Sequence, residues 1–317
     1  MRARLRGAAL AAVLAAVVAA GCGDDEPAPG VAEVVGVEPG GAGRLAYALA
    51  GRPGEIDPLA ARTRPDQILT RQVHEPLVAR LGGPYGEAHG ERGLARSWRP
   101  SRDREIWRFE LRRRVRFQDG TPFNASAVLA NAERWRTVDP GPALVPNLVA
   151  ADAPRPDLVR FILARPVEDL PRLLASPRLG IVSPAAMRRG GGRGGAVARE
   201  DRSGTGPFEL REREGETIVI ARNVAWWGTR AGLGPALDQV ELRVVRSDPE
   251  RLALLRAGTV QVADALPASA SVEIRRSPLL TFVGGRGDVL GLERSVRGID
   301  SATAIEPFSE LWLTTVG

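Results

Sequence analysis

The sequence predicts an α+β fold, and residues 107–135 give the clearest case for it. Apolar and charged side chains alternate over residues 107–111, which is the period of a strand with one apolar face and one charged face. Residues 119–122 read Asp-Gly-Thr-Pro, which favours a tight turn because glycine accepts positive φ and proline fixes its own φ. Asn124 can then cap a helix over residues 125–135. A chain of 317 residues, 44% of them hydrophobic, is long enough for two packed lobes.

The rest of the chain continues this alternation of strands and capped helices. Further strands are predicted at residues 44–50, 158–163 and 240–244, and a hairpin at residues 208–220 with its turn at 213–216. Further helices are predicted at residues 65–73, 168–175 and 248–257. Ser247 is in place to cap the start of the last helix, and Gly258 is in place to end it.

The charge of the chain raises the question of a nucleic-acid partner, and its distribution argues against one. The formal net charge is +6, and each basic residue is an arginine. The arginines are interspersed with 38 acidic residues, and the dense run at 112–114 is typical of a solvated strand face. The glycine-rich segment 189–195 lacks the lysine of a phosphate-binding loop. We therefore expect that segment to be a surface loop and expect no nucleic-acid partner.

The amino terminus has the features of a secretory signal over residues 1–21. Arginines come first, an apolar run of Ala, Val and Leu covers residues 10–20, and small residues lead to Cys22. The apolar run is short for a membrane span. Because Cys22 is the one cysteine of the sequence and ends the signal, we predict that it is lipidated. An ordinary signal peptide, or a short anchor with an incidental cysteine, is the alternative. Residues 22–43 then predict a flexible tether rich in Gly, Pro, Asp and Glu.

Two motifs carry a resemblance to a known family. Residues 107–112 read Trp-x-Phe-x-Leu-Arg, and Val-x-Phe and Asp-Gly-Thr-Pro-Phe follow at 115–123. Residues 204–208 read Gly-Thr-Gly-Pro-Phe, ahead of Arg-Asn and Trp-Trp at 222–227. In order and spacing this resembles the extracytoplasmic solute-binding proteins of family 5, the dipeptide, oligopeptide and nickel type. These are the capture components of ABC importers.

The resemblance implies a periplasmic-binding-protein-like fold of type II with mixed sheets flanked by helices. It implies lobe I at residues 44–75 and 190–317, and lobe II at residues 76–189. Beyond residue 281 the pattern of the family's further large lobe is not found, and residues 308–313 resemble the family's closing strand. We therefore expect a chain with lobes I and II and without lobe III.

The resemblance also implies a non-catalytic function. We expect a lipoprotein on the outer face of the cytoplasmic membrane that captures a peptide-like or other small solute and delivers it to an ABC permease. The alternative is an envelope scaffold or interaction lipoprotein that captures no solute. The solute, the effect of a missing lobe on binding, the origin of the shortening and the oligomeric state stay open at this point.

Candidate ligand contacts follow from position in the family's fold. Arg178 could pair with a carboxylate in a two-pronged manner, Trp135 could stack on a ligand, and Tyr47 could lie at a strand edge used by a peptide. Asn131 is the fourth candidate, although packing in the core is the competing interpretation for residues on this helix. No catalytic residues are indicated. We expect neither a cofactor nor a metal, since His74 and His89 are the only histidines.

Overall fold

The computed structural model describes residues 43–54, 56–80, 88–89, 93–190, 197, 203–284, 289–293, 296–297 and 315–316. The strands in chain order are β1 Arg44–Leu49, β2 Ala79–Arg80, β3 Ala88–His89, β4 Ala95–Pro100, β5 Ile106–Leu111, β6 Leu148–Arg155, β7 Leu158–Leu163, β8 Phe208–Glu214, β9 Thr217–Arg222, β10 Gln239–Val244, β11 Val262–Leu266, β12 Leu280–Gly284, β13 Val289–Glu293, β14 Val296–Arg297 and β15 Thr315–Val316. The α-helices are α1 Arg64–Val73, α2 Ala125–Thr137, α3 Gly141–Leu144, α4 Leu170–Leu174, α5 Pro184–Arg189, α6 Asp248–Arg256 and α7 Ala270–Arg276, with 3-10 turns at Pro177–Leu179 and Trp227–Ala231.

A seven-stranded mixed sheet has the order β12-β13-β11-β1-β10-β9-β8. Its central strand β1 runs parallel to both β10 and β11, while the outer pairs are antiparallel. Tyr47 is in register with Leu242 on one side and with Val262 on the other. The carboxyl ends of the three parallel strands therefore meet at one edge of the sheet.

Apolar cores cover both faces of this sheet. On one face Leu45, Tyr47 and Leu49 pack with Leu69 of α1, and on the other Ala48 packs with residues of α6 and α7. Leu45, Tyr47 and Leu49 alternate along β1, which is the pattern of a strand with one buried face. Burial on both faces explains why Ala48 is also fully buried.

A four-stranded antiparallel sheet has the order β4-β5-β7-β6. Phe109 and Phe161 meet edge to face with ring centroids 5.4 Å apart. Trp135 of α2 stacks on Phe161 with centroids 6.3 Å apart. The helix starts as predicted, since Asn124 caps it by accepting a hydrogen bond from the Ala127 amide. Helix α2 thus closes one face of this sheet.

Two buried carboxyl groups link segments that are distant in the sequence. Glu75, just after α1, accepts hydrogen bonds from the indole Nε1 atoms of Trp226 and Trp227. Asp57, in the connection from β1 to α1, accepts from Arg134 of α2 with Nη1 2.8 Å from Oδ1. Burying these carboxyl groups is tolerable because each has hydrogen-bonding partners.

Local predictions hold well where local chemistry decides the structure. Ser247 caps α6 by accepting from the Glu250 amide, and Gly258 follows the helix with φ 68°. The predicted helix at 168–175 is shorter, because Asp169 caps it and Pro171 lies in its first turn.

Some predictions lie outside the described residues. These are the signal peptide, Cys22, the tether, most of the glycine-rich segment and the closing strand at 308–313. In the part of the chain that the structure describes, no helix is long and apolar enough to span a membrane.

Candidate functional site at the carboxyl edge of the seven-stranded sheet

The edge where β1, β10 and β11 end is the candidate functional site. In open sheets with parallel strands, ligands bind outside the carboxyl ends, where the connections leave in different directions. Here β10 reaches β11 through α6 and skips over β1, which lies between them. The segments that follow the three strands therefore frame one rim.

An ion pair between Arg64 and Asp264 lies at this rim. Arg64 is the first residue of α1, and Asp264 belongs to β11. The Nε atom of Arg64 is 2.9 Å from Oδ1 of Asp264, and Nη2 is 2.8 Å from the same oxygen. The carboxylate is fully buried, whereas the arginine side chain is 22% exposed. The guanidinium is thus the part of the pair that a solute could reach.

A backbone irregularity accompanies the position of Asp264. Ala265 has φ 48°, and the pairing of β11 with β13 shifts between Ala263 and Leu266. Such bulges re-aim neighbouring side chains. The sequence analysis missed both Arg64 and Asp264, and an alternating strand pattern contains no signal for this bulge.

Tyr47 is buried on β1 close to this pair. Burial raises the pKa of its phenol well above its usual value, and the charge of Asp264 raises it further, while Arg64 opposes the change. The phenol is therefore neutral at physiological pH and keeps its proton as a hydrogen-bond donor.

The loop that follows β1 is held in place from both sides. The Gly54 amide donates to Asp66 of α1 at 2.6 Å, and Arg213 of β8 donates to the Gly54 carbonyl at 3.3 Å. Asp66 also accepts from the Thr63 amide in a capping box. These hydrogen bonds fix the backbone conformation of the rim in the absence of a solute.

Two of the other predicted contacts, Trp135 and Asn131, belong to α2, which packs on the four-stranded sheet, and not to β1. Trp135 is 1% exposed and stacked in the core. The amide of Asn131 donates to the carbonyls of Ala127 and Val182 and accepts from the Val182 amide. These contacts match the core-packing interpretation, and a ligand role for either residue stays a prediction.

Arg178 contacts the connection between β1 and α1. Its Nη2 donates to the Leu59 carbonyl at 3.2 Å. Burial lowers the pKa of this arginine, and the nearby charge of Arg62 lowers it further. A ligand role for Arg178 also stays a prediction.

A cavity of about 240 Å³ lies at the opposite, amino end of β1 and β10. It is lined by Arg44, Glu241, Arg243 and Gln261, among others. Glu241 and Arg243, neighbours on one face of β10, form an ion pair at 2.7 Å. Its volume falls below the roughly 300–1,000 Å³ typical of pockets that enclose a ligand.

The sequence spacing did not predict that His74 and Ser203 would meet. The Nε2 atom of His74 is 2.8 Å from the Ser203 hydroxyl. Both residues are at most 1% exposed, and Nδ1 of His74 has no hydrogen-bond partner among the described residues. This pair is closed to a substrate and lacks an orienting acid. The described residues also contain no cluster of His, Cys, Asp or Glu suited to hold a metal ion.

Comparison with known proteins agrees with this architecture. The model of the bacterial extracellular solute-binding proteins, family 5 middle region, matches residues 91–309. The "Probable D,D-dipeptide-binding periplasmic protein DdpA" of Escherichia coli K12 is 30% identical over 229 residues, which cover 70% of this chain and 43% of that protein. The "Glutathione-binding protein GsiB" of E. coli O6:K15:H31 is 31% identical over 218 residues, 67% of this chain and 40% of that protein.

The solved structures give the same result. NikA from Brucella suis, in complex with Fe(III)-EDTA, is 27% identical with a TM-score of 0.64, and the match covers 76% of this chain and 48% of NikA. The chain thus spans about half the length of the relatives it matches, or less. Proteins of this family are extracytoplasmic binding components of ABC importers, and the expected α+β fold of type II is confirmed. The family model spans more than half of the chain, so the chain belongs to the bacterial extracellular solute-binding proteins, family 5.

Proposed function

We propose that this chain is the solute-binding lipoprotein of an ABC importer and captures a peptide-like solute at the carboxyl edge of its seven-stranded sheet. The observation that carries the proposal is the Arg64–Asp264 pair at the rim of a family 5 fold. A guanidinium binds a carboxylate through two parallel hydrogen bonds. The two relatives described above are named for a dipeptide and for glutathione, which are both small peptides.

The remaining parts of the proposal concern organisation and location. Lobe I would comprise residues 44–75 and 190–317, and lobe II residues 76–189. The seven-stranded sheet draws its strands from the first set and the four-stranded sheet from the second. Lipidation of Cys22 would hold the protein on the outer face of the cytoplasmic membrane, where it would deliver solute to the permease.

Binding to the folded state raises its stability, so a thermal-shift screen tests solute capture. The purified full chain is screened against dipeptides, a D,D-dipeptide and glutathione, with sugars and metal chelates as comparators. We expect a peptide to raise the Tm and calorimetry to return a dissociation constant for it. A screen in which no compound raises the Tm contradicts capture.

A matched pair of variants tests the position of the site. Arg64→Gln/Asp264→Asn removes the rim pair, and we expect affinity for the peptide to fall about tenfold or more, the effect of about 1.4 kcal/mol. The control is Arg160→Gln/Asp152→Asn, which removes another bidentate pair, with distances of 2.7 and 2.6 Å, from the four-stranded sheet. Equal affinities for the two variants would place the site elsewhere.

A further inference from the structure

The outer face of the four-stranded sheet carries a row of arginines across three adjacent strands. Arg99 of β4 is directly opposite Arg108 of β5, which is directly opposite Arg160 of β7. Asp152 of β6 ends the row beside Arg160. Neighbouring strands are about 4.8 Å apart, so the backbone positions of the three arginines span about 10 Å. We call these three residues the arginine row.

The acids on this face are already engaged by arginines, one of which is Arg160 of the arginine row. Asp152 pairs with Arg160 at 2.6 Å, and Glu110 pairs with Arg96 at 2.7 Å and with Arg155 at 3.9 Å. The strands thus turn five arginines and two acids to this face.

Arg99 and Arg108 are exposed, and neither has an acidic partner among the described residues. Like charges directly opposite each other on a sheet are destabilising. Arg99 and Arg108 therefore place two positive charges next to each other on the surface. An anionic partner would relieve the repulsion between these charges.

The shape and composition of the face favour an extended partner over a small anion. The positions next to the arginine row hold Ile106 and Ile162, which pair with each other across β5 and β7 and are partly exposed. Helix α2 covers the other side of the sheet through Trp135 and Phe161. The face therefore combines spread positive charge with half-exposed apolar side chains, as surfaces that lie on a membrane do.

We propose that this face docks on an anionic phospholipid membrane, with Arg99 and Arg108 of the arginine row on the lipid phosphates and Ile106 and Ile162 toward the headgroup boundary. The proposal concerns a surface distinct from the solute site and does not need solute binding. Residues 22–42 would span at most about 75 Å when extended, so the face can reach the membrane that the proposed lipid anchor enters. Only the use of the lipid anchor rests on the proposed function.

The test measures vesicle flotation of the full chain in a Cys22→Ser background, so that acylation contributes nothing. Vesicles contain phosphatidylcholine alone or with about 30% phosphatidylglycerol. We expect stronger binding to the anionic vesicles, and its loss when NaCl rises from about 0.05 M to about 0.5 M, because salt screens surface charge. Equal binding to both vesicle types would overturn the proposal.

Charge-matched variants locate the surface. Arg99→Gln/Arg108→Gln is compared with Arg230→Gln/Arg276→Gln, which removes two exposed arginines from other parts of the chain. We expect partitioning on anionic vesicles to fall about 30-fold only in the first variant, since one arginine near an anionic surface contributes about a fivefold gain. Equal partitioning of the two variants overturns the proposal. Wild-type protein that binds polyglutamate and does not bind anionic vesicles also overturns it, and would indicate an acidic protein partner.

A fluorescence measurement tests orientation without altering the arginine row. Cys22→Ser removes the one native cysteine, so a single dye can be attached through Ser97→Cys, whose position pairs with Glu110 on the outer face. The control is Val224→Cys, at a position that is 82% exposed elsewhere. We expect anionic vesicles to blue-shift only the dye at position 97. A shift of the control dye alone would contradict the proposed orientation.

Discussion

The indole nitrogen of Trp227 lies 3.0 Å from both carboxylate oxygens of Glu75. The Trp227 side chain packs against both large core clusters, and the guanidinium of Arg112 lies 4.1 Å above its ring. Burial raises the pKa of Glu75 to about 7, while the hydrogen bonds from Trp227 and Trp226 and the charge of Arg112 oppose the rise. A carboxyl group that titrates near neutral pH therefore lies where the two cores meet.

We predict that His74→Gln produces a protein whose stability falls as pH rises from about 4.5 to about 7. In this window the unfolded Glu75 has lost its proton and the folded Glu75 retains it, so the folded state binds more protons and loses stability with rising pH. The fall is about 3 kcal/mol, from about 1.4 kcal/mol per pH unit. Urea unfolding at a series of pH values measures it. A flat profile would mean that Glu75 titrates at its ordinary pKa.

The converse variant, Glu75→Gln, should show the opposite slope. Burial lowers the pKa of His74 from 6.5 to about 4. Between these values the unfolded state binds more protons, so stability rises with pH up to about 6.5. In the wild type the two slopes largely offset each other from about 4.5 to about 6.5. Urea unfolding at a series of pH values measures this slope. If Glu75→Gln and the wild type showed the same dependence of stability on pH, the prediction of opposing contributions from His74 and Glu75 would be wrong.

Arg64→Leu should destabilise the fold strongly, because it leaves the buried carboxylate of Asp264 without its ion-pair partner. Loss of one member of a buried pair costs about 3–5 kcal/mol. Arg64→Leu/Asp264→Asn removes the stranded charge, so we expect it to be more stable than the single variant. Chemical denaturation of the two proteins is the measurement, and a double variant no more stable than the single one would contradict the expectation.

Gly204→Ala should also be destabilising, for a steric reason. A Cβ atom at position 204 would lie 1.8 Å from the Val73 carbonyl oxygen. Overpacking of this kind costs about 1–3 kcal/mol. Gly51→Ala is the control, since its Cβ would meet Pro65 at 3.5 Å, an ordinary contact. Thermal unfolding should separate the two variants, and a similar Tm for both would show that the Val73 backbone can move aside.

Mass spectrometry of the protein made in a bacterial host tests the anchor. We expect the mature amino-terminal peptide to begin at Cys22 and to carry acyl chains, and Cys22→Ser to lack them. Ser126→Ala, a conservative change at an exposed position of α2, should keep the modification. An unmodified cysteine in the mature wild-type protein rules out the lipoprotein assignment.

The agreement between sequence and structure is greatest where neighbouring residues decide the outcome. The alternating residues 107–111 lie in β5, and Asn124 and Ser247 cap the starts of α2 and α6 as expected. Neighbouring residues also decide the structure of residues 177–184, which contain two prolines. Pro177–Leu179 is a 3-10 turn, and Ser183 caps helix α5 by accepting from the Ala185 amide. Proline in a first helical turn favours this outcome.

The sequence by itself determined the family, the strands and capped helices, and the α+β class, because periodicity, caps and motif spacing are properties of nearby residues. Only the tertiary structure decided which distant charges meet. Arg64 and Asp264 are 200 positions apart and Asp57 and Arg134 are 77 apart, and both pairs form because sheet order and helix packing bring their elements together. Registration across β4, β5 and β7 likewise decided that three arginines with no pattern along the chain form one row.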